Sequence, residues 1–149
     1  MTLQNLLAIH KLQAFVPTRG AVLKLLLAAQ RNLVDANLKE LGADNRFDAA
    51  YKTIMQCAML GLWANGYRTA TSQPGHHQLA IQSLPLTLQV SKETVIVLDA
   101  LRKQRNLNDY EGDPIADSAL ADCLKEAEQL LAHTQHWLQT NHPDLVNKP

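Results

Sequence analysis

The chain is short of most features that would announce a function. It has two cysteines among 149 residues, Cys57 and Cys123, far apart and in no paired spacing. That excludes a disulfide scaffold and a thiolate metal centre, and makes a reducing, cytoplasmic setting the default. The longest strictly apolar run is Leu25 to Ala29, far short of the roughly 20 residues of a membrane-spanning helix. Met1 to His10 lacks the basic start and apolar stretch of a secretory signal. Neither sign of charge is in excess: 14 Lys and Arg face 14 Asp and Glu, which argues against a strongly basic surface for nucleic acid. There is no internal repeat and no low-complexity tract. Nor is there any stretch of alternating apolar and polar residues long enough to predict a strand, so no sheet is expected.

What remains is helical periodicity in an ordinary globular composition, 46% hydrophobic and 19% charged. The expected fold is all-α, one domain over residues 1–149 with its core at about 18–140. The N-terminal lead-in and the C-terminal tail are expected to be less ordered. Thr18 is a good N-cap for a helix over Arg19 to Glu40, with Val22, Leu26, Ala29, Leu33 and Ala36 as its buried seam and Gly42 as its stop. Asp44 or Asn45 would cap a second helix to Asn65, so rich in apolar residues that it must be covered nearly all round, in the core or at an oligomer interface. Gly66 suits the left-handed position after that helix. Tyr67 to Gly75 reads as a polar loop, and His76 to Ser83 as a short helix ended by Pro85. Ser91 caps a helix to about Leu107, and an acidic loop follows over Asn108 to Asp113. Asp113-Pro114 then reads as the start of a last helix to Thr140. Four main helices plus one short one, joined by short connections, predict an up-and-down bundle.

Chemistry is concentrated in one segment, Arg102 to Gly112. Arg102 and Arg105 are three apart and share a helix face, and two guanidinium forks on one face suit a phosphate or carboxylate. Asn106 can read a base edge, and Tyr110 can stack on a base or donate its hydroxyl. The plainer reading is a basic turn at the negative end of a helix dipole, with Asp109 and Glu111 as local ion-pair partners. His76-His77 is a second candidate for acid–base or metal chemistry. Yet adjacent side chains diverge on a helix and no carboxylate lies near in sequence, so a polar helix start explains the pair as well. Placing these histidines beside Arg105 in space is a further possibility. His133 and His136, three apart, find no complementary ligand and read as surface residues. Gly61 to Gly66 has phosphate-loop glycine spacing but neither the preceding strand nor the Lys-Ser that the loop requires. No metal site and no cofactor is expected.

By helix order from Thr18 to Leu138, and by Arg105-Asn106 after the fourth helix, the chain resembles the HEPN family of helical toxin nucleases and nucleotidyltransferase partners. Active members carry an Arg, a polar residue directly after it, and a His a few residues further on. Here Tyr110 stands where that His is expected, and Asp109-Tyr110 resembles a variant branch. The resemblance implies Arg105, Asn106 and Tyr110 as catalytic residues with Asp109 beside them, and the chemistry of the side chains adds Arg102, His76 and His77 as binding candidates. It also implies a homodimer in which both copies of the motif line one cleft, and a toxin–antitoxin or nucleotidyltransferase-paired role. A tyrosine, with an unperturbed pKa of about 10, is a poor replacement for His as a base near pH 7. The expected activity is therefore RNA or nucleotide binding with weak or no RNase activity. The alternative is a non-catalytic homodimeric interaction module, joined through the apolar second helix and part of the last.

The charge balance is itself a cancellation. Residues 1–105 carry 12 basic and 6 acidic side chains, and residues 106–149 carry 2 and 8. The sign changes between Arg105 and Asn106, inside the segment that carries the chemistry.

Overall fold

A computed structural model describes residues 1–70 and 75–147. Among them the chain forms eight helices and two short strands. They run α1 (Leu3–Ala8), β1 (Leu12–Ala14), α2 (Arg19–Ala36), α3 (Ala43–Ala64), β2 (Tyr67–Thr69), α4 (His76–Gln82), α5 (Leu84–Thr87), α6 (Lys92–Glu111), α7 (Asp117–Asn141) and α8 (Pro143–Val146). The all-α class holds. None of these helices is long and apolar enough to cross a membrane.

α3 is the axis of the molecule. Twelve of its residues are buried, among them Phe47, Ala50, Tyr51, Thr53, Ile54, Ala58 and Leu62. α2 and α7 pack along it most extensively, while α4, α5 and α6 cover the remainder. The surplus of apolar positions that suggested an oligomer interface is thus consumed within one chain. α2 buries Val22, Leu26, Ala29 and Ala36 along the expected seam. α7 turns Cys123, Ala127, Leu130 and Thr134 inward with Leu120, Leu131 and Leu138.

Local signals account for several boundaries. The Thr18 hydroxyl accepts from Ala21 N at 3.1 Å and the Ser91 hydroxyl from Thr94 N at 3.1 Å, each occupying an amide that the first turn leaves unpaired. Gly66 takes φ +91° directly after the C-cap of α3, where only glycine is unstrained.

Other boundaries depart from expectation. α2 stops at Ala36 rather than Glu40, because Asn37 caps it and its Nδ2 donates to Leu33 O at 2.8 Å. α3 starts at Ala43 without a side-chain cap; Asp44 is used elsewhere, its Oδ1 accepting from Ile115 N at 3.0 Å. That bond ties Ile115 to α3, and the last helix begins at Asp117, after the extended Ala116, and not at Pro114. α6 does not end at Leu107 but continues to Glu111, closed by Gly112 at φ +73°. The acidic loop is therefore mostly helix. Pro85 opens α5 instead of only ending α4. Beyond residue 141 the tail forms α8, which buries Leu145, and Arg19 Nη1 donates to Asn147 O at 3.2 Å.

The expectation of no sheet is corrected. β1 and β2 pair antiparallel, Leu12 with Thr69 and Ala14 with Tyr67. Three residues are too few to display a period of two, so composition could not announce them. The ribbon is fixed by its ends. Phe15 N donates to Gly66 O at 2.9 Å, Phe15 packs on Trp63 at 4.9 Å between ring centroids, and Arg68 lies 5.8 Å over Phe15. β2 occupies the first part of the expected loop; residues 71–74 of that loop lie outside the described residues.

Candidate functional site

α6 carries the segment on which the functional reading depends, and its twist divides that segment. Arg102, Arg105 and Asp109 recur at three and four residues and share the inner flank. At 100° per residue, Asn106 lies about 100° and Tyr110 about 140° around the helix from Arg105. Both are exposed, Tyr110 to 89%. The three residues expected to act together are thus split within one chain: Arg105 faces the body of the protein, and Asn106 and Tyr110 face outward. Ile96 and Leu107 share that outer side and are likewise exposed.

The inner flank meets α3. The Arg105 guanidinium carbon lies 5.0 Å over the Tyr51 ring, within cation–π range. Arg105 Nε stands 3.5 Å from Asp48 Oδ1, and its Nη2 stands 3.9 Å from Asp109 Oδ2. These are ion pairs without hydrogen-bond geometry, and Nε has no hydrogen-bond partner. One turn earlier, Arg102 Nε donates to Asp99 Oδ1 at 2.9 Å, and Lys103 Nζ lies 3.4 Å from Asp99 Oδ2. Against a burial that would raise it, the hydrogen bond and charge of Arg102, then those of Lys103, hold the Asp99 carboxyl below the usual carboxylate range.

α4 closes the same corner. The His77 ring lies 6.2 Å from the Tyr51 ring, centroid to centroid, and His76 meets His77 edge to face at 4.7 Å. The two imidazoles, expected to diverge, converge because they open the helix after the left-handed Gly75. Partial burial, then the charges of His76, Arg105 and Arg102, lower the His77 pKa from its ordinary value. Tyr51 is only 2% exposed and its hydroxyl has no partner. Burial pushes its pKa up to about 12, against the opposing pull of Arg105 and then Arg102. At any physiological pH this phenol is a neutral hydrogen-bond donor.

The structure therefore brings together Arg102, Arg105, Asp109, His76 and His77 of the sequence candidates. It adds Asp48, Tyr51 and Asp99, which sequence reasoning missed. Tyr51 falls on the apolar seam of its helix and reads as core. Asp48 is the one acidic residue between Phe47 and Tyr51, a weak signal that only the fold makes specific. Among the described residues no group of three or more His, Cys, Asp or Glu is arranged to hold a metal. Cys57 and Cys123 are buried and unpaired, and burial pushes each thiol up to about 12, so neither is an activated nucleophile. His133 is exposed, as expected of a surface residue, with Nε2 2.6 Å from Leu88 O. Compared with known proteins, the chain matches no family model, no curated protein and no solved structure.

Proposed function

We propose that this protein binds RNA or a nucleotide through its phosphate at the corner between α3, α4 and α6, as a HEPN-like protein with weak or no RNase activity. The reading is carried by Arg105. Its guanidinium is fixed over Tyr51, yet its carboxylate contacts are long and leave Nε without a hydrogen bond. An Arg–phosphate pair forms short, charge-assisted hydrogen bonds and is stronger than such loose pairs. Arg102 extends the same flank, and its tight bond to Asp99 makes it a positioned charge and not a free one.

The four long helices α2, α3, α6 and α7 are read as an up-and-down bundle. The outward face of α6, with Asn106, Leu107 and Tyr110, is read as the surface where two copies meet in a homodimer of a paired toxin–antitoxin or nucleotidyltransferase system in the cytoplasm. The alternative of a non-catalytic interaction module loses its first argument, because α3 is covered by its own chain. It gains another from the exposed Ile96, Leu107 and Tyr110.

The test is binding of a short oligoribonucleotide and of AMP at low salt, where phosphate contacts are strongest. Arg105→Ala is expected to abolish binding while changing the melting temperature little. Absence of binding by the wild-type protein at low salt sinks the proposal.

A further inference from the structure

Among the described residues only three buried side-chain polar atoms have no partner: Tyr51 Oη, Arg105 Nε and Thr87 Oγ1. Native proteins leave few such atoms, and each asks for an explanation. Two of the three belong to side chains in contact, since the Arg105 guanidinium lies 5.0 Å over the Tyr51 ring. Both are donors. Two unpartnered donors on touching side chains, one of them cationic, suit an acceptor-only group.

Charge counting then sharpens what that group requires. α6 contributes Arg102, Lys103 and Arg105 to the corner, together with Asp99 and Asp109, and α3 contributes Asp48. Three cations meet three carboxylates, so the corner is neutral while its histidines are neutral. α5 brings no charged residue, residues 71–74 have no titratable side chain, and Arg68 of β2 is engaged with Phe15 and Gln13. Among the described residues, a net positive charge at the corner must then come from the histidine pair of α4, His76 and His77. His77 is the exposed one of the two and the one whose ring approaches Tyr51.

We propose that Tyr51, Arg105 and His77 form a proton-linked oxyanion site. A phosphate-class group accepts from the Tyr51 hydroxyl and Arg105 Nε and binds tightly only when His77 is an imidazolium. The proposal rests on the reading of Arg105 as a phosphate contact, and adds to it the ligand's third partner and its pH dependence. Neighbouring positive charge opposes protonation of His77 in the free protein. A bound anion reverses that field, so binding takes up a proton and affinity rises as pH falls through the His77 range. By linkage the same coupling raises the His77 pKa when the anion is bound.

The probes must not titrate themselves. Sulfate and a short RNA with 5′- and 3′-hydroxyl ends, which offers only phosphodiesters, keep their charge between pH 5.5 and 8; a nucleotide monophosphate, with a pKa of about 6, does not. Calorimetry on the full chain is expected to show both probes binding severalfold more tightly at pH 5.5 than at pH 8, within the roughly tenfold limit that a one-unit rise in the His77 pKa sets. Sulfate binding alone would assign the site to small anions, and RNA binding to the backbone. His77→Gln is expected to flatten the pH dependence of either probe, and His76→Gln to leave most of it. NMR of the imidazole protons should show the His77 pKa rising when sulfate is added. Binding that persists without pH dependence, or a His77 titration that sulfate does not move, overturns this inference and leaves the phosphate reading of Arg105 standing. No binding at any pH overturns both.

Discussion

One helix, α3, has two ends in opposite surroundings. From Thr53 to Ala64 it is packed against α2, α5 and α7, with Ile54, Cys57, Ala58, Leu60 and Gly61 fully enclosed. There its polar groups are matched. The Thr53 hydroxyl donates to Ala29 O at 3.1 Å, and Asn65 Nδ2 donates to Gly61 O at 2.7 Å and Thr87 O at 3.1 Å. One turn before that stretch, Asp48 and Tyr51 face charged residues of α6, contacts lengthen to 3.5 Å and 3.9 Å, and donors go unpaired. Two of the three unpartnered buried polar atoms, Tyr51 Oη and Arg105 Nε, fall at this second end on touching side chains, and one, Thr87 Oγ1, lies alone beside Gly61 at the first; the pairing of a cation with a phenol points to the second end as the place where something else binds.

Removing packing at the dry end should have the largest effect. Ile54→Ala is expected to cost about 2–5 kcal/mol, from lost burial and the cavity left behind. For a chain of this size each kcal/mol lowers the melting temperature by about 2–4 °C. A calorimetric scan showing a loss below 1 kcal/mol would mean that α3 is not the enclosed axis described above.

Gly61→Ala tests the same end by crowding. A Cβ at this position would lie 2.7 Å from Thr87 Oγ1 and 2.9 Å from Leu88 Cγ. The helix itself welcomes alanine, which is favoured over glycine by about 1 kcal/mol, so the sign of the result is decided by α5. We expect net destabilisation of about 1–3 kcal/mol, the usual cost of overpacking. A more stable variant would show that α5 is free to move away.

The difference between the two ends also decides what could be read in the sequence. The dry end was legible. The spacing of Phe47, Ala50, Ile54, Ala58 and Leu62 encodes an all-round buried helix, and Gly66 marks its stop. Within the polar corner, Arg102, Arg105 and the two histidines stood out because charge clusters and histidine pairs are local in sequence. Their meeting with Asp48 and Tyr51 was not legible, since it depends on how α4 and α6 cross α3. The reach of α6 was hidden for a similar reason. Asn108, Asp109 and Gly112 suggest a loop, but Gln104 Nε2 donates to Asn108 Oδ1 at 2.5 Å and Asn108 Nδ2 to Asp113 O at 2.6 Å, which carries the helix to Gly112. That extension turns Tyr110 away from Arg105, and so separates residues that a linear motif places together.

Asp48→Asn is the next smaller perturbation and acts on the polar end alone. Asp48 is half exposed and its contact with Arg105 is long, so the pair contributes about 1 kcal/mol at most. Losing it should lower stability by no more than that. It should also leave the corner one positive charge richer, and so raise affinity for sulfate at both pH 5.5 and pH 8. Unchanged or weaker sulfate binding would show that Asp48 does not compete with the ligand for Arg105.

The smallest stability effect belongs to Tyr51→Phe, and it separates the two ends most sharply. At the dry end the Thr53 hydroxyl and the Asn65 amide both make hydrogen bonds, which their removal would lose. Here the hydroxyl is buried and unpartnered, so the folded protein bears its desolvation without return. Phenylalanine keeps the ring on which Arg105 stacks and drops only the oxygen. The melting temperature should stay within about 2 °C of wild type or rise, since relief of an unpaired group is worth at most a fraction of the 1–3 kcal/mol that burying one costs. Sulfate affinity should fall severalfold at pH 5.5, because the site loses a donor while Arg105 and His77 remain. A clear loss of stability would mean that the hydroxyl already has a partner within the fold, and unaltered sulfate binding would remove Tyr51 from the site.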